Sequence, residues 1–226
     1  MNYSIADQFT SIQGEGQWTG IPAHFIRLAG CNLHCEFCDT IYIKATEQSI
    51  DELVAVAVAS KTKYVVITGG EPMMYDIREL CLCLKEKGLR IHIETNGTFE
   101  MQGTPYDWLA VSPKPHTDIN LDTLARAHEI KYLVGLPDWE AWITEVEDRI
   151  ERLFTTRFFP YRSAVKYVMP IAKDYQTDFR LNCARGDTLR SYTWLEPKNL
   201  KLAIDYCFAH PDFRLCVQMH KFTNIK

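Results

Sequence analysis

Three cysteines, Cys31, Cys35 and Cys38, fall within eight residues at the spacing C-x3-C-x2-C. Thiolates so close in sequence converge on one point only where the backbone wraps around it, and Gly30 just before them permits that wrap. Iron–sulfur clusters are normally held by four thiolates. Three with no obvious fourth leave one iron open to an exogenous ligand. Two blander readings stand beside this one. Zinc could be held by the three cysteines with His34 or a distant His220, although zinc knuckles come as paired C-x2-C elements and no second pair exists here. The cysteines could also be apolar packing, which needs no particular spacing.

Other residue groups carry weaker chemical signals. In Gly69-Gly70-Glu71-Pro72, the two glycines let backbone approach a ligand closely, and Glu71 can accept a hydrogen bond from an ammonium group. Alone, such a pair is an ordinary turn. Asn96-Gly97 also reads as a turn, and Ser112-Pro113-Lys114 as a loop presenting a lysine. Arg27 interrupts an apolar strand, as a buried ion-pair partner would. His92, on a strand, reads as packed or hydrogen-bonded. Cys81 and Cys83 are two apart on a helix, face different ways and cannot chelate together. Cys183, Cys207 and Cys216 have no partners at ligand spacing and read as apolar packing.

The elements that would position these groups recur as strand then helix. Strands are expected at residues 23–28, 64–68, 90–94, 108–111, 129–134, 192–195 and 213–218. Ser49 and Glu52 form a capping-box start for a helix through Ala59. Asp76 opens an amphipathic helix ending near Gly88, a left-handed cap, and a further helix is expected over 198–209. Helical crossovers imply a parallel sheet. The glycine-rich and polar motifs all follow strands, which collects them at the sheet's C-terminal edge, where such folds bind ligands. Roughly six strand–helix units fall short of eight, so the fold class expected is α/β, an incomplete, open TIM-like barrel. Residues 137–190 fit the alternation least well. They read as an insertion that includes a charged amphipathic helix over 139–154, all within a single domain spanning 1–226.

The bulk properties suit that reading. The 226 residues are 46% hydrophobic, enough to bury a full core, and 25 basic against 29 acidic residues give a net charge of −4. That charge offers no electrostatic case for nucleic-acid or anionic-membrane binding. The longest apolar run, residues 53–59, is far short of the ~20 needed to span a bilayer. The N-terminus lacks the pattern of a secretory signal. A cytoplasmic setting is therefore expected, and the eight cysteines are read first as ligands, reactive thiols or core residues rather than disulfides.

The cysteine spacing, with the aromatic Phe37 before its third member and Gly69-Gly70-Glu71-Pro72 downstream, resembles the radical S-adenosylmethionine (SAM) superfamily. That resemblance implies a 4Fe–4S cluster on Cys31, Cys35 and Cys38 whose open iron chelates SAM. An electron from the cluster then cleaves SAM to methionine and a 5′-deoxyadenosyl radical. Further segments are Phe9-Thr10-Ser11-Ile12-Gln13-Gly14-Glu15-Gly16, Phe25-Ile26-Arg27-Leu28, Cys38-Asp39-Thr40, Glu94-Thr95-Asn96-Gly97 and Val217-Gln218-Met219-His220-Lys221. Together these are similar to the 7-carboxy-7-deazaguanine synthase family over about residues 3–133 and the last thirty or so.

This second resemblance implies a lyase that contracts the ring of 6-carboxy-5,6,7,8-tetrahydropterin. Hydrogen abstraction at C6 starts the reaction, ammonia is lost and SAM is regenerated. Arg27 would grip the substrate carboxylate, while Ile12, Gln13 and Gly14, with Thr95, would meet the pterin. Thr40 would ligate Mg²⁺, an ion that takes few protein ligands. SAM would contact Phe37, Asp39, Gly69, Gly70, Glu71, Gly97, Ser112, Pro113 and Lys114. It would also contact Glu196 and Pro197, where the family has Leu-Gln-Pro and this chain Leu195-Glu196-Pro197. A flavodoxin or ferredoxin would supply the electron, and a homodimer is implied. The alternatives are a radical SAM activating enzyme acting on a partner protein, and a non-catalytic zinc or iron–sulfur module.

Overall fold

The strands observed are β1 (Asn2–Ile12), β2 (Pro22–Leu28), β3 (Thr46–Ser49), β4 (Tyr64–Gly69), β5 (Arg90–Thr95), β6 (Trp108–Val111), β7 (Glu129–Val134), β8 (Val165–Pro170) and β9 (Phe213–Leu215). The helices are α1 (Ile50–Ala59), α2 (Arg78–Glu86), α3 (Leu121–Ala125), α4 (Trp139–Thr156), α5 (Pro197–Ala209) and α6 (Met219–Thr223). This computed structural model describes residues 1–38, 45–101, 103–156, 164–172, 196–223 and 225. One nine-stranded sheet runs in the order β3-β1-β2-β4-β5-β6-β7-β8-β9. From β2 to β9 every pairing is parallel. Only β1 is antiparallel to its neighbours, β2 and β3.

Local chemistry explains where the elements start and stop. Ser49 Oγ accepts from the Glu52 N–H while the Glu52 carboxylate takes the Ser49 N–H, the reciprocal cap expected at the start of α1. Asp76 sits two residues ahead of α2, where its carboxylate accepts from the Arg78 N–H. Gly88 ends that helix at φ +76°, and the Leu89 N–H reaches back to the Leu84 carbonyl.

Strand alternation divides the sheet into two faces. Ile26, Leu28, Val65, Ile67, Ile91, Ile93, Leu109, Val111, Ile130 and Tyr132 lie in the main apolar core with residues of α1, α2, α3 and α4. The residues between them, including Arg27, Thr68, Glu94, Ser112 and Lys131, therefore point to the opposite face. On that inner face Lys131 of β7 reaches Glu94 of β5, two strands away, at 3.3 Å. The result is the open, mostly parallel α/β sheet expected, consistent with an incomplete barrel.

Two expectations change. Much of the proposed insertion is regular: α4 and β8 continue the alternation, with Val165–Pro170 pairing along all of β7. The strand is short and follows an aromatic, basic stretch, which hid it in the sequence. The rest of that stretch, 173–190, lies outside the described residues, as does the strand expected at 192–195. The last strand is shorter than 213–218, because the Met219 N–H bonds to the Gly14 carbonyl and Gln218 to Glu15 rather than to β8. Strands β1 and β3 were not anticipated. No helix among the described residues is long and apolar enough to cross a membrane.

The β1–β2 connection closes the floor of the inner face. Its neck is fixed by the bonds Gln13 N–H to Ile21 O and Gly20 N–H to Gln13 O, at 2.9 and 2.8 Å. Its tip carries Trp18 against Tyr64 and His92, each at 4.8 Å between ring centres. His92 is wholly buried, and neither ring nitrogen has a hydrogen-bond partner among the described residues. Burial drives its pKa down to about 4 despite the nearby Glu94 carboxylate.

An unfolded histidine titrates near 6.5, so the stability tied to neutral His92 is full above that pH. It is lost as the pH falls from there through about 4. Urea unfolding at pH 7 and pH 4.5 should show the loss in the wild type to be about 2–3 kcal/mol larger than in His92→Phe. Equal losses in the two proteins would remove His92 as the cause.

Candidate active site

The cysteine loop leaves β2 at the C-terminal edge of the parallel strands, and its course is fixed by four backbone or hydroxyl contacts. Ala29 N–H donates to Ser4 O, Gly70 N–H to Leu28 O, Glu71 N–H to Gly30 O, and Tyr75 OH to Ala29 O, at 2.8–3.1 Å. Gly30, at φ +77°, makes the wrap inferred from the sequence. The loop then turns through Cys38 N–H to Cys35 O, and Phe37 packs on Leu133, Tyr167 and Met169 of β7 and β8. The loop thus crosses the mouth of the inner face from β2 to β8.

Cys31, Cys35 and Cys38 are half-buried thiols within electrostatic reach of one another. Burial raises the pKa of Cys31 and Cys35, while the ammonium of Lys114 opposes the rise. Lys114 donates to the carbonyl and hydroxyl of Ser112 at 2.8 and 2.6 Å. Burial lowers its own pKa, and the neighbouring Cys35 pulls the other way. Among the described residues, no three His, Cys, Asp or Glu side chains gather closely enough to hold a single ion.

The turn after β4 is tied to this loop. A Cβ on Gly70 would overlap the Gly30 carbonyl and press on Cys31 Cβ, and one on Gly69 would overlap Leu28. Glu71 is fully buried and its carboxylate is already engaged, by Met73 N–H at 2.9 Å, Thr95 Oγ at 2.6 Å and Asn96 N–H at 2.7 Å. Burial raises its pKa against those bonds. Asn96 carries the brace onward to Asn32 in the cysteine loop at 3.0 Å. Gly97 takes φ +81° with Val111 packed where a Cβ would sit. Glu71 and Thr95 thus brace the turn after β4, with Thr95 Oγ donating to the Glu71 carboxylate.

Below the mouth lies a buried polar network. Lys131 Nζ donates to Glu15 at 2.7 Å and to Glu94 at 3.3 Å. Glu94 also accepts from Gln13 at 3.0 Å and Thr68 at 3.2 Å, and Glu15 from Gln218 at 2.8 Å. Burial alone would raise both carboxyls, but Lys131 holds Glu15 and Glu94 below the ordinary range. The carboxylates in turn keep the Lys131 pKa well up against its burial. Arg27, half-buried on β2, lies opposite Thr68 in the β2–β4 register. Gly14 leaves no room for a side chain beside His220, and Ile12 ends β1 next to it.

The structure therefore brings together Gln13, Gly14, Arg27, the cysteines, Phe37, Gly69, Gly70, Gly97, Ser112, Pro113 and Lys114 around one edge and the face beneath it. Glu196 and Pro197 start α5, and Asn199 of that helix bonds the Ile171 carbonyl at the end of β8, so they border the same edge. Asp39 and Thr40 lie outside the described residues. Sequence reasoning passed over Glu94, Lys131 and Glu15 as site residues. The signal was present: in Glu129-Ile130-Lys131-Tyr132-Leu133 the charges alternate with apolar residues, so they share the face that the core does not use.

A cysteine loop seated at the mouth of a partial barrel, above a polar interior, is an arrangement suited to an iron–sulfur enzyme. The model of the radical SAM superfamily matches residues 25–147. The 7-carboxy-7-deazaguanine synthase of Synechocystis sp. is 42% identical over 153 residues, 66% of this chain and 73% of that protein. The synthase of Escherichia coli is 32% identical over 100% of both chains. The crystal structure of QueE from Escherichia coli superposes with a TM-score of 0.71 at 30% identity, covering 97% of this chain and 95% of that one. The chain belongs to the radical SAM superfamily and, within it, to the 7-carboxy-7-deazaguanine synthase family. A 4Fe–4S cluster and SAM are the cofactors of that superfamily.

Gly70→Ala should force apart the β4 turn and the start of the cysteine loop. Overpacking of this kind costs about 1–3 kcal/mol. Urea unfolding should show that loss, and iron uptake on anaerobic reconstitution should fall with it. Wild-type iron content and an unchanged midpoint would mean the close approach is dispensable.

Proposed function

We propose that this chain catalyses the SAM- and Mg²⁺-dependent ring contraction of 6-carboxy-5,6,7,8-tetrahydropterin to 7-carboxy-7-deazaguanine, with loss of ammonia. The observation that carries the proposal is the polarised inner face beneath the cysteine loop. An arginine stands on β2, and an amide–carboxylate network of Gln13, Glu15 and Glu94 is held by Lys131. That face suits a small molecule with a carboxylate at one end and an N–H-rich ring edge at the other.

When bound, the cluster and SAM supply the one-electron chemistry that begins with hydrogen abstraction at C6. The chain's own residues hold, orient and shield. Cys31, Cys35 and Cys38 bind the cluster, and the backbone of Gly69 and Gly70 leaves room for the methionyl end of SAM, with Glu71 bracing that turn. Gly97, Ser112, Pro113, Lys114, Glu196 and Pro197 border the SAM side of the edge, together with Phe37, and SAM also contacts Asp39. Arg27 grips the substrate carboxylate with a forked pair of bonds, and Ile12, Gln13, Gly14 and Thr95 meet the pterin. Trp18 closes the floor and helps keep bulk water from the reacting carbon. Thr40 supplies an oxygen ligand for Mg²⁺ that orients the substrate. A flavodoxin or ferredoxin delivers the electron to a homodimer in the cytoplasm.

Anaerobic reconstitution with iron and sulfide, followed by SAM, reductant, Mg²⁺ and the carboxytetrahydropterin, tests the reading. It should give a four-iron cluster and the carboxydeazaguanine by mass spectrometry. Bound zinc in place of the cluster would point to a metal-binding module. A cluster that cleaves SAM yet makes no deazapurine would point to another radical SAM activity, such as activation of a partner protein. Cys35→Ala should lose the cluster with the circular dichroism of the fold retained. Arg27→Ala should keep the cluster and weaken substrate binding by about 1.5–3 kcal/mol, as for a lost charged hydrogen-bond partner. Normal turnover by Arg27→Ala would remove the carboxylate grip.

A further inference from the structure

Lys131 is 3% exposed and stands on the central part of β7, its backbone paired with Tyr167 of β8. Its ammonium bridges two side chains from distant parts of the chain, Glu15 in the β1–β2 connection and Glu94 on β5. Glu129, Cys216, Lys114 and His92 are the other titratable groups facing this cluster, and His220 faces Glu15. Two carboxylates against one ammonium leave the cluster net negative. Each ionised carboxylate offers about four acceptor positions. Glu94 uses three, for Gln13, Lys131 and Thr68, and Glu15 uses two, for Lys131 and Gln218. Both retain capacity for donors from a ligand.

Arg27 supplies the opposite pole. It lies across from Thr68 in the β2–β4 register, and Thr68 donates to Glu94 on the next strand. Two strand spacings, roughly 10 Å, therefore separate the cationic side of the inner face from the anionic side. A reduced pterin bearing a carboxylate is polarised over a comparable length, from the anionic carboxylate to the amidine-like N–H edge of the pyrimidinone ring.

We propose that Lys131 is a positioning residue: it fixes Glu15 and Glu94 as a net-negative pair opposite Arg27, so that the inner face admits a carboxylated reduced pterin in one orientation. The proposal rests on the substrate class argued above. Without the ammonium, two neighbouring buried carboxylates repel and compete for one proton. The Gln13–Glu15 segment then loses its anchor on β7, and the face loses its defined polarity. The cysteine loop is braced separately, through Glu71, Thr95 and Asn96, so cluster and SAM chemistry should survive the change.

The test compares Lys131→Met and Lys131→Arg with the wild type, each reconstituted with the cluster and supplied with SAM. Calorimetry with the carboxytetrahydropterin measures substrate affinity directly. Reductive SAM cleavage without substrate measures the radical machinery. Lys131→Met should keep its iron content and SAM cleavage, while its substrate Kd and KM rise roughly 10- to 100-fold with a smaller change in kcat. Lys131→Arg should recover part of that loss. In Lys131→Met, kcat/KM should climb with pH between 6 and 8 as the shared proton is released, where the wild type is flat.

Wild-type affinity in Lys131→Met would overturn the proposal. So would equal loss of SAM cleavage and substrate binding in both variants, which would make Lys131 a general structural residue. If Lys131→Met does not fold, Glu94→Gln carries the test, since it removes one negative charge and leaves the Lys131–Glu15 pair intact. Unchanged substrate affinity there would overturn the proposal too. A wild type that cleaves SAM but neither binds nor converts the pterin would instead sink the substrate assignment.

Discussion

The turn after β4 approaches the exit of β2 so closely that no side chain fits between them. Gly70 N–H reaches the Leu28 carbonyl at 3.1 Å and Glu71 N–H the Gly30 carbonyl at 2.9 Å. Those two bonds extend the β2–β4 ladder past the end of the sheet, and they point Glu71 inward, where it is sealed from solvent. A buried carboxyl without donors would be expensive. Three donors from the 3₁₀ turn at Met73 and from the end of β5 meet it, and Asn96 then fastens on Asn32. The position of the cysteine loop over the mouth thus follows from one backbone approach, passed through a buried acid to a third strand.

The same sheet separates stability from chemistry by alternation alone. One face buries valine, isoleucine and leucine beneath the helices, where each fully buried side chain contributes about 1.5–3 kcal/mol. The opposite face can then carry Arg27, Thr68, Glu94 and Lys131 without drawing on the core. Burying charge is unfavourable unless it is paired and hydrogen-bonded, and each member of the Glu15–Lys131–Glu94 group is. Removing Lys131 would leave two buried carboxylates facing each other without a cation, so the ammonium is the member on which the other two depend.

Much of this was legible in the sequence, for physical reasons that differ by element. The cysteine spacing and Gly69-Gly70-Glu71-Pro72 are local patterns, and the structure seats them side by side. The strands at 108–111 and 129–134 and the cap at Ser49 depend on neighbouring residues only, and all appear where expected. Strand β1 was missed because Asp7, Gln8, Thr10 and Ser11 break the apolar alternation. Its first half buries Tyr3 and Ile5 in the main core, while the rest is half-exposed and held by pairing with β2. Strand β8 was missed behind its aromatic flank. The strut role of Glu71 was not readable, because it depends on Thr95 and Asn96, which lie twenty-four and twenty-five residues further on. Lys131 was readable as an inward charge, but not its partners, which come from strands two places away and from the turn before β2.

The two lysines of the site show how differently the mouth and the interior are prepared. Lys131 is met by carboxylates, so burial is overcome and its charge is secure. Among the described residues Lys114 donates to the neutral carbonyl and hydroxyl of Ser112, and burial lowers its pKa. The groups that could repay that burial are the facing cysteines, which in their thiol form offer little. As thiolates bound to iron, Cys31 and Cys35 would place negative charge where Lys114 lacks it. Their own burial, which disfavours the thiolate, would be relieved by the same ammonium. The interior lysine is thus charged through the chain's own carboxylates, whereas the lysine at the mouth would gain its anionic partners with the cluster bound.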